Sequence, residues 1–276
     1  MPSTPRLLAA TCHLGPTVLV TGLATALAAG RGQPPRRVAL ISAAVLAGQL
    51  TIGWSNDLLD ADRDRRAGRL DKPLALDPTA RRPVLLALGA AGGACLLLSG
   101  RCGGRAGLVH VVLVVGSGWA YNAGLKRSTA SILPYAVAFG GLPHVVTLAD
   151  RRDPAPAAAW QTAAGALLGS AAHLLNALPD LRDDAATGVH GYPHRWSERA
   201  LRAQSAAALA GAQLAVLRGV RLPVIGRVGL AAVAVALSVG VTRGSGEVPF
   251  WCAGLMAATD AAVWVAAQRT SDAARS

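Results

Sequence analysis

The chain has 276 residues and a formal net charge of +12, and 52% of its residues are hydrophobic while only 15% are charged. Soluble domains carry about 25% charged residues, so this composition disfavours a soluble enzyme. The high apolar content and the presence of only 4 Cys also disfavour a disordered chain and a disulfide-built secreted domain. Arg and Lys stand in short clusters between long apolar runs, which is typical of membrane proteins and not of nucleic-acid-binding domains.

Nine apolar segments are long enough to cross a bilayer as helices, which takes about 20 residues each. They cover residues 7–29, 38–58, 83–100, 107–123, 131–149, 157–178, 200–218, 222–242 and 248–267. Gly and Ala dominate several of them, and small residues let membrane helices approach closely. The sequence therefore predicts an all-α membrane protein, a tight bundle of nine transmembrane helices that forms a single domain over residues 1–276.

Acidic residues concentrate in two short windows, each at the end of an apolar segment. Six of the 15 Asp and Glu residues fall between Asp57 and Asp77, and three more fall between Asp180 and Asp184. If all nine segments cross the membrane, an even number of crossings separates the two windows. Both windows then lie on the same side of the membrane.

The two acidic windows match each other in one register at an offset of 120 residues. The matched pairs are Asn56 with Asn176, Asp60 with Asp180, Asp64 with Asp184, Gly68 with Gly188 and Pro73 with Pro193. Five identities in one register predict an internal repeat of four helices. Because four is even, both copies cross the membrane in the same sense, and the windows face each other across an axis along the membrane normal.

The spacing of the acids indicates a metal site. Residues four apart share one face of a helix, so Asn56, Asp60 and Asp64 form a stripe with Asp57 beside it. The second window repeats the stripe with Asn176, Asp180 and Asp184. Like charges at this spacing repel unless a cation neutralises them, and ligands that are all oxygen suit Mg²⁺. The alternative is a solvated loop whose acids are balanced by neighbouring Arg, and the repetition in register disfavours it.

Basic residues surround the acids and indicate an anionic ligand larger than a metal ion, for which a diphosphate is suitable. They are Arg63, Arg65, Arg66, Arg69 and Lys72 in the first window, Arg182, Arg195 and Arg199 near the second, and Lys126 and Arg127 after the fourth segment. The acidic side of the membrane carries 15 of the 27 Lys and Arg residues. This weak bias favours a cytoplasmic acidic face in a cell-membrane protein, with the N-terminus on the same side.

These motifs resemble those of the UbiA superfamily of intramembrane prenyltransferases. The stretch from Asn56 to Asp64 contains the whole family signature NDxxDxxxD, and the stretch from Asp180 to Asp184 matches the second signature, DxxxD. Residues 68–74 are similar to the basic stretch of the family that ends in Arg/Lys-Pro. Residues 121–126 are similar to the Tyr-and-Lys motif that follows the fourth helix.

The resemblance implies Mg²⁺-dependent transfer of a prenyl group from a prenyl diphosphate to an aromatic or other lipophilic acceptor in the bilayer, as in quinone or lipid biosynthesis. The implied metal ligands are Asp57, Asp60, Asp64, Asp180 and Asp184. The implied catalytic residues are Asp60, Asp64, Asp180, Asp184 and Tyr121, and the implied substrate contacts are Asn56, Arg69, Lys72, Lys126, Asn176 and Arg182. Ala177 stands where the first motif has Asp57, so the second window lacks one carboxylate.

Three other functions are compatible with parts of this pattern. A terpene cyclase of the same superfamily needs the same motifs and no acceptor, so only product analysis separates it from a transferase. A cation transporter needs ionisable residues at mid-span, but those here, His13, His110, His144 and Asp260, are few and scattered. A scaffold that has lost activity is disfavoured, because it has no need of the complete acidic set.

Overall fold

Helices make up the regular structure of the chain, as the long apolar segments predict. The computed structural model describes residues 3–69, 71–179, 181 and 190–273, with side chains described up to residue 267, and these ranges contain no β-strand. The helices are α1 (Thr4–Ala10), α2 (Leu14–Gly30), α3 (Pro35–Arg66), α4 (Pro73–Leu76), α5 (Arg81–Cys102), α6 (Gly104–Ala123), α7 (Leu133–Leu148), α8 (Ala159–Ala177), α9 (Glu198–Gly219), α10 (Val224–Arg243) and α11 (Val248–Ala273). Asp180, Arg182 and Asp184 lie outside the described residues.

Each predicted apolar segment after the first coincides with one long helix, but the helices differ in how well they suit a bilayer. Within the described ranges, five are long and apolar enough to cross a membrane, and they include Pro35–Arg66, Pro78–Cys102, Gly104–Ala123, Val224–Arg243 and Val248–Ala267. The bent pair of α1 and α2 adds a sixth if it counts as one span. Outward apolar side chains such as Ile225, which is 83% exposed, suit contact with hydrocarbon. The crossing of all nine segments stays a prediction.

The first predicted segment, 7–29, is wrong as a single continuous helix. The chain bends by 76° between α1 and α2. His13 stands at this break with φ +54°, in the left-handed region that non-glycine residues adopt uncommonly. Gly53 of α3 packs against the break, and a Cβ at that position would lie 2.3 Å from the carbonyl oxygen of Cys12. The close approach of α3 to the break therefore depends on the absence of a side chain at residue 53.

Six helices surround a central cavity. Helix α2 packs against α3 and α11, α3 packs against α6, α6 against α7, α7 against α8, and α8 against α11, so the ring closes. Helices α5, α9 and α10 lie outside this ring, with α5 on α3, α9 on α8, and α10 on α9 and α11. The ring brings the ends of α3, α6 and α8, which carry the sequence motifs, to one cavity.

The helix bounds keep the spacing of the sequence repeat. Helix α6, Gly104–Ala123, and helix α10, Val224–Arg243, differ by 120 at both ends. The packing is also repeated, because α3 contacts α5 as α8 contacts α9. These correspondences agree with the four-helix repeat expected from the acidic windows, which stays a prediction.

Candidate active site

One face of α3 lines the central cavity, which has a volume of about 300 Å³. This face follows the helical period of three or four residues and consists of Gln49, Ile52, Gly53, Asn56, Asp60, Arg63 and Asp64. Helix α3 continues beyond the predicted apolar segment to Arg66. The stripe of Asn56, Asp60 and Asp64 therefore lies on a helix and faces the cavity, as its spacing predicts.

The cavity joins a charged end to an apolar interior. Arg69, Lys72 and Lys126 add cations at the end where α3 carries its carboxylates. The interior is lined mainly by apolar side chains, which include Pro16, Leu19, Val20, Val114, Ala138, Phe139, Leu142 and Phe250. Gln49 is an amide in this interior for which the sequence patterns gave no signal. The helical rise places it about 16 Å from Asp60 along α3.

Asp60 and Asp64 are buried carboxylates whose charge is balanced by cations of the same chain. Only 4% of Asp60 and 3% of Asp64 is exposed. Arg63 Nη2 donates hydrogen bonds to Asp60 Oδ2 and to Asp64 Oδ1, both at 3.2 Å. Lys126 Nζ donates to both carboxylate oxygens of Asp60 and lies 2.6 Å from Oδ2. A buried charge needs such partners, because desolvation without them is costly.

Lys126 reaches the carboxylates from the short 3₁₀ turn Leu125–Arg127 that follows α6. The residue is only 6% exposed. Burial lowers the pKa of the Lys126 ammonium, while the neighbouring carboxylate of Asp60 opposes that shift. The sequence placed Lys126 on the acidic side of the membrane, and the structure places its Nζ beside the acidic stripe.

Asp57 stands behind the cavity wall, next to residues that line it. It is 2% exposed, and its Oδ1 accepts a hydrogen bond from Lys72 Nζ at 2.9 Å and contacts His13 Nε2 at 3.0 Å. Within the described part of the chain, Asp57 Oδ2 is buried and has no hydrogen-bond partner. His13 and Lys72 both line the cavity. Sequence spacing gave no signal for His13, because 44 residues separate it from Asp57.

Two asparagines join α3 to α6 at the same level of the cavity. Asn56 Nδ2 donates to Asn122 Oδ1 at 3.1 Å. Asn122 Nδ2 in turn donates to Ser55 Oγ and to the backbone oxygen of Ile52, both at 2.9 Å. Asn176, the counterpart of Asn56 in the second window, lies near the end of α8 and lines the same cavity. The structure thus brings the first residues of both acidic windows to one site.

An aromatic cluster adjoins the charged end. Tyr121 lines the cavity and packs edge-on against Tyr135, with ring centroids 5.2 Å apart. His173 lies behind both rings, 5.7 Å from Tyr121 and 4.9 Å from Tyr135, and its Nε2 is 3.0 Å from Ser131 Oγ. His173 is buried and does not line the cavity. The cluster fixes the Tyr121 ring at the boundary between the charged end and the apolar interior.

Arg69, which lines the cavity, pairs with Asp71. Arg69 Nε and Nη2 donate to the two carboxylate oxygens of Asp71, each at 2.8 Å. These hydrogen bonds lower the pKa of Asp71 to about 2. The pair is partly exposed, with 33% of the Arg69 side chain and 59% of the Asp71 side chain accessible.

The donor chemistry of the charged end fits a hard cation such as Mg²⁺. Asp60 and Asp64 present carboxylates one helical turn apart, and Asp57 Oδ2 is a buried carboxylate oxygen without a partner among the described residues. Those residues contain no cluster of three or more His, Cys, Asp or Glu side chains that would hold a metal by themselves. The remaining predicted ligands, Asp180 and Asp184, fall outside the described ranges.

The fold and the cavity together define an intramembrane enzyme in which a charged site opens into an apolar chamber. A sequence model of the UbiA prenyltransferase family matches residues 17–267. The chain therefore belongs to the UbiA prenyltransferase family and is a prenyltransferase by class. No curated protein sequence matches it.

Solved structures of UbiA homologues share this fold. The apo structure of a UbiA homologue from Aeropyrum pernix K1 has a TM-score of 0.69 and 17% identity, covering 90% of this chain and 97% of that one. A digeranylgeranylglyceryl phosphate synthase has a TM-score of 0.65 and 10% identity, covering 97% and 99%. A UbiA homologue from Archaeoglobus fulgidus bound to GPP and Mg²⁺ has a TM-score of 0.64 and 16% identity, covering 94% and 99%.

Proposed function

We propose that the protein transfers a prenyl group from a prenyl diphosphate to an aromatic or other lipophilic acceptor within the membrane, in a reaction that depends on Mg²⁺. One observation carries this proposal: a single cavity joins a carboxylate- and cation-lined end to an apolar interior. A prenyl diphosphate has the same two parts, a polyanionic head and an apolar tail. The Archaeoglobus fulgidus homologue was solved with GPP and Mg²⁺ and with DMAPP and Mg²⁺.

The carboxylates are the proposed metal-binding groups. Asp57, Asp60 and Asp64 would hold Mg²⁺ from α3, and Asp180 and Asp184 would do so from the second window. When bound, the metal would neutralise negative charge on the diphosphate as the bond between the diphosphate and the allylic carbon breaks.

The cations and amides of the charged end are the proposed diphosphate contacts. Arg69, Lys72 and Lys126 would donate charge-assisted hydrogen bonds to the phosphate oxygens. Such bonds are shorter and stronger than hydrogen bonds between neutral groups. In the structure, Lys126 is bonded to Asp60 and Lys72 to Asp57. Diphosphate binding would draw these ammonium groups toward the phosphates. Asn56, Asn176 and Arg182 are the further proposed contacts.

The apolar part of the cavity is the proposed site of carbon chemistry. Tyr121 stands where the charged end meets the interior, so its ring would face positive charge that develops on the allylic carbon. The apolar walls would keep water away from that carbon and leave the acceptor as its reaction partner.

The membrane arrangement is proposed with the function. We infer nine crossings, a four-helix repeat within a single domain over residues 1–276, and an acidic end and N-terminus that face the cytoplasm. Cysteines introduced at positions 67 and 187 test this arrangement by labelling from each side. Labelling of the two positions from opposite sides would refute the count of crossings.

Product analysis tests the reaction. Membranes that contain the full chain are incubated with Mg²⁺, labelled prenyl diphosphates and a panel of phenolic acceptors, and the products are identified. We expect a prenylated acceptor and free diphosphate. A cyclic terpene formed without acceptor would instead identify a cyclase of the same fold. Diphosphate release that continues unchanged with EDTA would overturn the role of Mg²⁺.

A further inference from the structure

A cluster of packed apolar side chains, here called the wall, borders the apolar interior of the main cavity. The wall consists of Val20, Ala24, Val45 and Leu142, with Leu23 and Phe139 packed against them. These residues come from α2, α3 and α7, so three helices of the ring meet at the wall. Phe139 and Leu142 lie three positions apart on α7 and therefore share one face of that helix.

A second cavity of about 60 Å³ lies on the other side of this wall. Phe139 and Leu142 line both cavities. The rest of the second cavity is mostly apolar and includes Leu27, Pro143, Trp160, Ala164, Leu168 and Trp264. The two cavities are thus neighbouring spaces that share the side chains of two residues.

The second cavity lies farther from the charged end than the first. Helix α2 begins at the break where His13 contacts Asp57, and it lines the main cavity with Pro16, Thr17, Leu19 and Val20. Farther along the same helix, Leu23 and Leu27 line the second cavity. The helical rise places Leu27 about 10 Å beyond Val20. An apolar tail whose head is held at the carboxylates would meet the wall before it reached the second cavity.

The second cavity also contains a buried carboxylate among its lining side chains. Asp260 lines it and is only 5% exposed. Its Oδ1 accepts a hydrogen bond from Gln213 Nε2 at 3.0 Å, while its Oδ2 has no partner within the described part of the chain.

We propose that Phe139 and Leu142 set the length of the prenyl chain, so that the enzyme selects short prenyl diphosphates, with geranyl diphosphate favoured over geranylgeranyl diphosphate. The inference rests on the proposed function and adds to it the class of prenyl donor. The main cavity holds the short tail, and the wall excludes the additional isoprene units of the longer one. Removal of either side chain joins the two cavities and gives the longer tail a place to bind.

Binding measurements on the purified full-length protein in lipid nanodiscs test this proposal. The probes are thiolo analogues of geranyl and geranylgeranyl diphosphate, which turn over slowly, in the presence of Mg²⁺. We expect the wild-type protein to bind the geranyl analogue at least about tenfold more tightly, because several CH₂ groups of the longer chain lack space to be buried. Phe139→Ala and Leu142→Ala should each reduce this preference about tenfold or more.

Phe250→Ala is the matched control, because Phe250 lines the main cavity but neither the second cavity nor the wall. The same aromatic ring is lost, yet the ratio of the two affinities should stay within about twofold of the wild-type ratio. A second variant tests the path of the tail. In the Phe139→Ala background, Ala164→Leu refills the second cavity and should restore the preference for the geranyl analogue.

The outcomes separate the two proposals. If neither analogue binds to folded wild-type protein, the proposed function fails and the length rule fails with it. If both bind with Mg²⁺ but the longer one binds as tightly or more tightly, the length rule is wrong while the function stands. An unchanged ratio in both Phe139→Ala and Leu142→Ala, with wild-type helical circular dichroism, also overturns the rule.

Discussion

Lys126 and Asp60 form a buried ion pair at the charged end of the cavity, with Nζ 2.6 Å from Oδ2, although 66 residues separate them in the sequence. The pair joins the turn after α6 to the end of α3. Each partner balances the charge of the other away from bulk solvent. Loss of either side chain therefore has consequences both for stability and for the proposed chemistry.

Asp60→Asn should reduce Mg²⁺-dependent diphosphate release roughly a hundredfold or more, because the amide cannot supply the negative charge with which Asp60 is proposed to hold the metal. Asp62→Asn is the matched control on the same helix, since Asp62 is exposed and pairs only with Arg65 in the described structure. Asp180→Ala should be as damaging as Asp60→Ala, if the second window completes the site. Initial rates of phosphate-coupled assays measure all of these variants. Near-normal turnover of Asp60→Asn would remove Asp60 from the metal site.

Lys126→Ala should weaken prenyl diphosphate binding about ten- to a hundredfold, since a charge-assisted contact contributes about 1–3 kcal/mol. Acceptor affinity should fall less, because the acceptor carries less charge. Arg127→Ala, one residue on and exposed, should leave both affinities unchanged. Equal losses for the two substrates in Lys126→Ala would exclude a specific role at the phosphates.

The same ion pair predicts a stability coupling. Lys126→Ala leaves the buried Asp60 carboxylate with fewer partners. Breaking a buried ion pair costs about 3–5 kcal/mol, and the destabilisation should not exceed this range because Arg63 still pairs with Asp60. The double variant Lys126→Ala, Asp60→Asn removes the uncompensated charge and should recover part of that loss. Thermal unfolding of the four proteins in one detergent measures the coupling. Strict additivity of the two losses would show that the pair contributes nothing beyond its separate side chains.

Gly53→Ala should lower both thermal stability and activity, because the new Cβ would lie 2.3 Å from the backbone oxygen of Cys12 and push the break at His13 away from α3. Gly89→Ala is the control: it lies within α5, has open space at its Cβ position, and should gain up to about 1 kcal/mol from improved helix propensity. If Gly53→Ala matches Gly89→Ala in melting temperature, the close approach at Cys12 does not constrain the fold.

Asp150 lies at the end of the bundle opposite the carboxylate site. We expect its ionisation to make the stability of the fold depend on pH. Burial acts to raise the pKa of Asp150, but hydrogen bonds from Arg152 and the charges of Arg152 and Arg31 outweigh it and lower the pKa. A carboxylate with a lowered pKa stabilises the fold at neutral pH, and this stabilisation is lost as the pH falls through its folded-state pKa.

Asp150→Asn should therefore reduce the melting temperature at pH 7 by a few degrees, and the difference from the wild type should shrink as the pH falls through the folded-state pKa of Asp150. Asp153→Asn alters an exposed carboxylate of the same loop and should have little effect over the same pH range. A deficit of Asp150→Asn that is equally large in acid would contradict the ionic origin of the stabilisation.

The spacing of the acidic residues predicted the part of the site that a single helix determines. Asn56, Asp60 and Asp64 are four apart, so any helix through them places them on one face, and α3 does so. The order of the segments predicted that Lys126 lies at the same end of the bundle as the acidic stripe. A segment's place in this order determines the side of the membrane on which it ends. Apolar length alone was enough to place the long helices from α3 onward in the described part of the chain, but it did not reveal the break between α1 and α2.

Contacts between distant segments were beyond the reach of sequence spacing. The break at His13 interrupts an apolar segment without a Pro or Gly at that residue, and it depends on packing against Gly53. The pairing of His13 with Asp57 and the wall between the two cavities likewise depend on how α2, α3 and α7 meet. Hydropathy records that these residues are apolar or polar, but it does not record which of them face each other.

The pairing of the site carboxylates with Arg63, Lys72 and Lys126 has a consequence for biogenesis. In many metalloproteins the metal ion is needed for folding, because unneutralised ligands oppose the native state. Here Asp60, Asp64 and Asp57 already have cationic partners from their own chain. We therefore expect the bundle to assemble without Mg²⁺, because cations of the same chain already balance the charge of these three carboxylates.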